Sequence, residues 1–369
     1  MLLHFHDFSL QLSVLSAIAY CGIGFFSNHS HLHVLSEDMV SFYNLMRNNH
    51  QDAQLLFIAP FMQLVMDLTG KSSSQQAPAT AVAAIEGNDG SDRHTLASAT
   101  DRGGHNQVKT QTSLTLLKGE YFDFDRDFKV AKDTKNEIVV AWLHFLHFFS
   151  SALFNDYTTA YQAMDDLNKS NTDAFPPHNT AYRMLLEGIT SLSVEPESLR
   201  DPTRAKQCLK KIQTLVKHSP SNYHHIATLL EAEVLAYKVT NAKKLSLRRW
   251  LLVSKNTSTK LVEDVIAKYN DAAMEARDQG FVLIEALAYE RCARFHQLQW
   301  QQQQLGLRRS FRNLISGDHD NTSNYNEEEE DDYYEITIRP LLVKSQSLYD
   351  SWGAHTKARQ VENLMKYKG

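Results

Sequence analysis

The feature that most constrains this chain is how its helical stretches follow one another with almost nothing between them. In "DPTRAKQCLKKIQTLVKHSPSNYHHIATLLEAEVLAYKV" (201–239), an Asp and a Pro open one apolar helical pattern, and a second begins just after Ser219. Asp accepts from the free N–H groups of a first turn, and Pro sacrifices nothing where that N–H is unpaired anyway. The same grammar recurs: "TKLVEDVIAKYNDAAMEARDQG" stops at Gly280 and "FVLIEALAYERCARFHQLQW" starts at once. "IRPLLVKSQSLYDSW" stops at Gly353 and "AHTKARQVENLMKY" follows, while "NEIVVAWLHFLHFFSSALF" leads through "NDY" into "TTAYQAMDDL". Helices joined by so few residues pack antiparallel, and such pairs in series predict an all-α solenoid.

Side-chain size supports the pairing. Ala160, Ala205, Ala272 and Ala273 are small where paired backbones must approach, with Tyr161, Tyr269 and Tyr349 placed to fill the adjacent gaps. The period is irregular, so the repeats are degenerate. Three further helices are expected over 8–26, 34–48 and 51–68. The first is nearly uncharged, but Ser, Gln and Gly interrupt it and no basic residue precedes it. It is therefore expected to be a buried helix of a soluble protein, with a signal or membrane segment as the rival.

Composition breaks the pattern in three places. Residues 70–112 are rich in Ser, Thr, Ala and Gly, and too polar to offset their ordering entropy, so they are expected to form a disordered insertion. Residues 241–260 are expected to form a basic loop, and 306–335 a second disordered insertion that turns from basic to acidic. The run "EEEEDD" (327–332) supplies six of the 43 acids, leaving 38 basic residues against 37 acidic ones elsewhere. No clustered positive excess suits a nucleic-acid partner. Cys21, Cys208 and Cys292 lie far apart without metal-ligand spacing, and read as reduced, buried side chains.

The stretches "YNDAAMEARDQGFVLIEALAYERCARFHQL" and "LYDSWGAHTKARQVENL" resemble the tetratricopeptide-like helical region of large multidomain signalling ATPases, in which a kinase-like domain and an AAA-type (STAND-class) ATPase come first. GAF and histidine-kinase modules often follow there. "HFFSSALFNDYTTA", "SNYHHIATLLEAEVLA", "FYNLMRNNHQDAQLLFIAPFMQLVMDLTG" and "LTLLKGEYFD" extend the resemblance across most of the chain outside the insertions. It is carried best by Glu285, Ala286, Leu287, Ala288 and Glu290, then Tyr349, Trp352, Gly353, Ala354 and Lys357. It departs at the acidic insertion, at Pro340, which interrupts the start of the penultimate helix, and at Ser345, where Ala is expected. The resemblance implies a tetratricopeptide-like fold and a cytoplasmic interaction or signal-relay role, as part or relative of such a protein. Its enzymatic activities do not carry over, because no GxxxxGK[ST], H-R-D or D-F-G arrangement is present.

The structural repeat motif therefore comprises Ala160, Ala205, Ala273, Gly280, Glu290, Tyr349, Trp352, Gly353 and Ala354. Gly353 ends a periodic helix as a left-handed cap, with Trp352 packed under the turn. The rival is a helical metal protein or enzyme using His29, His31 and His33, with Glu37 or Asp38 as a fourth ligand. An inter-helix polar loop is the expected reading of that segment, which lies between two helices and has no carboxylate at a defined metal spacing. Glu231, Glu233 and Glu290 read as inter-helix partners, Glu290 with Arg294 one turn later. Ser310, Tyr333 and Tyr334 are positions a kinase could reach. No catalytic, cofactor or metal residue is assigned. The expected partners are proteins or other signalling domains, with no nucleic acid or small-molecule substrate.

Overall fold

The computed structural model describes residues 16, 19–26, 31–71, 117–133, 135–170, 177–245, 255–315 and 332–366. His29, residues 8–15, and most of the 70–112 and 316–331 segments lie outside them. The described residues are all-α, with one isolated β-bridge between Lys118 and Asp123. A short helix, α1 (19–26), precedes α2 (Leu32–Asn48) and α3 (Asp52–Thr69). Then come α4 (Phe124–Asp133), α5 (Glu137–Leu153), α6 (Tyr157–Lys169), α7 (Pro177–Ser193), α8 (Pro202–His218) and α9 (Pro220–Leu245). The last four are α10 (Lys255–Asp278), α11 (Val282–Ile315), α12 (Arg339–Trp352) and α13 (His355–Lys366).

Local chemistry sets these boundaries. Asn136, Asp156 and Asp201 cap α5, α6 and α8 through side-chain oxygens that accept from first-turn N–H groups. Four short joints close in the same way. The residues at His50, Asn155, Gly280 and Gly353 have φ of 53, 64, 78 and 92°. Each donates its N–H three residues back while the following residue donates five back, as in Gly353 to Asp350 and Ala354 to Tyr349.

Some expected boundaries are corrected. Helix α9 runs to Leu245 and α10 starts at Lys255, so the 241–260 segment is helical at both ends. Helix α11 continues to Ile315, and helix resumes by Asp332, which shortens the 306–335 insertion from both sides. Helices α4 and α7 were not expected. Pro340 does not interrupt its helix. It occupies the first turn of α12, just after a π-helical turn (Tyr334–Ile338) in which Arg339 donates to the Tyr334 carbonyl five residues back. The wider turn accommodates a ring that would clash with a tighter helix. Ser345, where the resemblance leads one to expect Ala, is fully buried and donates to the Ala286 carbonyl at 2.9 Å.

Neighbouring helices pack in series from α5 to α13. The last of them also returns to the N-terminal helices, because α13 packs against α3. The Trp352 ring lies 5.3 Å from Phe25 of α1, which in turn packs on Phe61 of α3 and Phe149 of α5. These rings are almost wholly buried, and each Phe contributes about 1.5–3 kcal/mol by leaving water. In an open solenoid each repeat touches only its neighbours. Here the chain's first and last described helices share one core.

Candidate functional site: a buried polar network beneath a groove

Helix α11 presents two consecutive charged residues to the interior, and together they organise much of the molecule. Glu290 is fully buried. Its Oε1 accepts from Asn155 Nδ2 at 2.7 Å and Lys357 Nζ at 3.0 Å, and its Oε2 accepts from Tyr349 at 3.0 Å. The expected partner Arg294 is there too, but farther away, at 3.5 Å. Lys357 is equally buried and also donates to Gln360 Oε1 at 2.8 Å. Gln360 in turn donates to the Phe154 carbonyl at 2.6 Å.

Arg291, the next residue, faces the other side. Its guanidinium grips both oxygens of Glu233 at 2.7 and 2.6 Å, and donates to Tyr157 at 2.6 Å and Ser193 at 3.1 Å. Glu233 also accepts from Tyr269 at 2.8 Å. Tyr157 donates to Asn155 Oδ1 at 2.7 Å, which joins the two halves. One continuous network thus links α6, α7, α9, α10, α11, α12, α13 and the α5–α6 joint.

The charges respond to this setting. Burial pushes the Glu290 carboxyl up, but Lys357, Arg294 and the Asn155 hydrogen bond outweigh it and hold the group down at about 2. Burial lowers Lys357 to about 8, and Glu290 only partly compensates while Arg294 and Arg291 repel. The ammonium is thus the less firmly held charge of the pair. Burial also pushes the thiols of Cys21, Cys208 and Cys292 up to about 12, so all three are inert apolar side chains.

Above the network lies a cleft of about 420 Å³ between the end of α7, α9 and α11. Its floor is Tyr157, Tyr269 and the Arg291–Glu233 pair, and its walls carry Asn241, Gln301 and Gln302. A second cleft of about 290 Å³, lined by Pro202, Lys206, Val234 and Lys238, shares Leu192, Tyr237 and Asn241 with the first. The two form one groove.

The expected motif residues divide between several places. Glu290 and Tyr349 meet in the network. Trp352, Gly353 and Ala354 form the joint beside it, and Ala160 and Ala273 are wholly buried. Ala205 sits apart, in a small cluster with Leu192 and Val234, and Gly280 ends α10 without joining the network. The histidine segment meets the joint: a Cβ on Gly353 would lie 2.7 Å from His31 Cε1. His31 Nδ1 accepts from the His33 N–H at 3.1 Å and caps α2, while His33 faces Glu37 at 3.3 Å. Among the described residues no group of three His, Cys, Asp or Glu side chains assembles as a metal site. Tyr333 stacks on Trp300 at 4.8 Å and meets His296 Nδ1 at 2.9 Å, and Tyr334 donates to the Met365 carbonyl. The side chain of Ser310 lies outside the described set.

Sequence reasoning missed the roles of Lys357, Asn155 and Arg291. A Lys on an apolar helical face was the available signal for Lys357, but its partner is 67 residues away. No helix of the described residues is long and apolar enough to cross a membrane. No family model matches the chain, and no curated protein or solved structure is detectably similar to it.

Proposed function

We propose that this chain is a protein-interaction and signal-relay module, cytoplasmic and non-enzymatic, whose paired helices present the groove over α9 and α11 to an extended segment of a partner. The single observation that carries the reading is a groove with a volume of about 420 Å³ at its larger end, whose floor is fixed by hydrogen-bonded side chains. Preorganised walls reduce the ordering cost of binding, and amide side chains such as Asn241, Gln301 and Gln302 can pair with both N–H and C=O of a peptide backbone. The tetratricopeptide-like reading and the affiliation with large signalling ATPases rest on the motifs around Glu285–Glu290 and Tyr349–Lys357. The helix pairs depart from an open superhelix by closing end to end.

The test is selection of short random peptides on the immobilised full chain, repeated with Gln301→Trp. Gln301 is exposed and lines the cleft, so the larger side chain fills the groove without disturbing the core. Peptides enriched on the wild type should bind the variant at least about tenfold more weakly. Enrichment that Gln301→Trp leaves unchanged would place the interaction surface elsewhere.

A further inference from the structure

The groove's cations are not equivalent. Arg291 is saturated by Glu233, Tyr157 and Ser193. Arg200 bridges Glu195 and Glu197 and donates to the Val194 carbonyl. Arg294 differs. Its only carboxylate, Glu290, lies 3.5 Å away and is already committed to Lys357, Asn155 and Tyr349. Among the described residues its buried Nε–H has no acceptor, and the buried Oε1 of Gln302 on the same wall has no donor. A guanidinium has five donors in a planar fork, and a buried donor left unmade costs about 1–3 kcal/mol. The Arg294 side chain is part-exposed at the cleft, where a ligand carboxylate can pair with its guanidinium.

The smaller cleft repeats the imbalance. Its lining is apolar, from Leu192, Pro202 and Val234, and its rim carries Lys206 and Lys238. Both lysines are exposed, and among the described residues neither has a carboxylate partner. The acids of the groove are otherwise engaged: Glu233 with Arg291, and Glu195 and Glu197 with Arg200. The unpaired charge of the whole groove is therefore positive, although the chain as a whole carries -5.

Building on the reading of the groove as a protein-docking surface, we infer that its ligand is an acidic segment of a partner protein: one apolar side chain enters the smaller cleft, and flanking Asp or Glu residues pair with Lys206, Lys238 and Arg294. The unpaired rim cations and the apolar pocket between them select for that combination, and a basic or purely apolar segment would leave that positive charge unmatched. Electrostatic pairing at an exposed rim sets on-rate and salt dependence more than total affinity, so binding should weaken as salt rises.

The experiment reads the composition of the peptides selected on the full chain, and compares wild type with Lys206→Glu/Lys238→Glu and with Arg294→Gln. Peptides enriched on the wild type should carry Asp or Glu around an apolar residue. The double charge reversal, at two exposed positions, should leave the melting temperature unchanged, weaken a selected acidic peptide by about tenfold or more, and shift new selections toward Lys and Arg. Arg294→Gln should weaken the same peptide and reduce its salt dependence. Neutral or basic peptides enriched on the wild type, or acidic ones indifferent to the charge reversal, overturn the acidic-ligand inference. If those peptides are still lost with Gln301→Trp, the groove remains the docking surface. If nothing is enriched at all, both readings fall.

Discussion

Glu290 and Arg291 are adjacent in the chain, yet they serve opposite sides of α11, and the Glu290–Lys357 pair is the more exposed to perturbation. Two fully buried charges repay their desolvation only when geometry is good and the remaining donors and acceptors are used, as Asn155, Tyr349 and Gln360 arrange here. Lys357→Met should cost about 3–5 kcal/mol in urea denaturation, because it leaves a carboxylate buried without its main counter-charge. Glu290→Leu/Lys357→Met should recover most of that loss, since no buried charge is then orphaned. The pH dependence has two windows. Glu290 is held below its ordinary value, so its stabilisation is complete above about 4.5 and is lost as pH falls toward about 2. Lys357 is depressed to about 8, so between about 8 and 10.5 the unfolded chain binds more protons and stability from this group rises with pH. Lys357→Met should abolish that alkaline rise. Trp352 gives a separate residue-scale test: its ring is buried but its indole N–H has no acceptor. Trp352→Ala should cost about 3–5 kcal/mol, whereas Trp352→Phe should cost much less, because it also removes the unsatisfied donor.

At the scale of elements, the joints show which signals are local. Gly280 and Gly353 were legible as helix ends because glycine tolerates positive φ without strain. His50 and Asn155 adopt the same conformation with a side chain; Asn and His tolerate positive φ better than most residues but mark a helix end far less strongly than glycine. Asn155 compensates for its strain by binding Glu290 and Tyr157. Asn155→Gly should therefore be milder than Asn155→Ala by about 1 kcal/mol in denaturation, since Ala loses the hydrogen bonds and keeps the strain. The caps at Asp156 and Asp201 were legible for the same reason as the glycines: each acts within three residues. Helix α4 was not. It has only ten residues, and its apolar face is completed by partners on α5, where Phe124 meets His147 in a tilted contact at 4.4 Å and Phe128 meets His144 edge-on at 4.8 Å. That docking is acid-sensitive. Burial lowers both histidines, opposed by Asp166 at His144 and by Asp156, Asp125 and Asp166 at His147, with Lys132 and Lys169 adding to the lowering at His144. Their neutral rings stabilise the fold above the ordinary value of 6.5, and that contribution is lost as pH falls through the lowered values. Amide exchange in Phe124–Asp133 should accelerate as pH falls below about 6.5, more than in α8, which has no such contact. The groove was illegible for a different reason: its walls come from α7, α9 and α11, and no local pattern announces a cavity between distant helices.

For the whole molecule, the meeting of α13 with α3 and of Trp352 with Phe25 changes how damage spreads. A linear array would lose its last repeats and keep the first ones protected. Here, removing residues 339–366 uncovers Phe25 and strips Glu290 of Lys357 and Tyr349, so protection should fall in α1, α3 and α5 as well as in α11. Hydrogen exchange on the truncated chain reads this directly, and full protection of α3 and α5 would restore the nearest-neighbour view. The same closure governs the order of events on the ribosome. Phe25 and its neighbour Phe61 are made before the Trp352 that packs on Phe25, by roughly 15–60 s at ordinary elongation rates of about 5–20 residues per second. Throughout that interval the nascent chain displays an aromatic surface with no lid of its own. Packing of these opening helices is thus expected to be complete only once Trp352 has been made, rather than repeat by repeat.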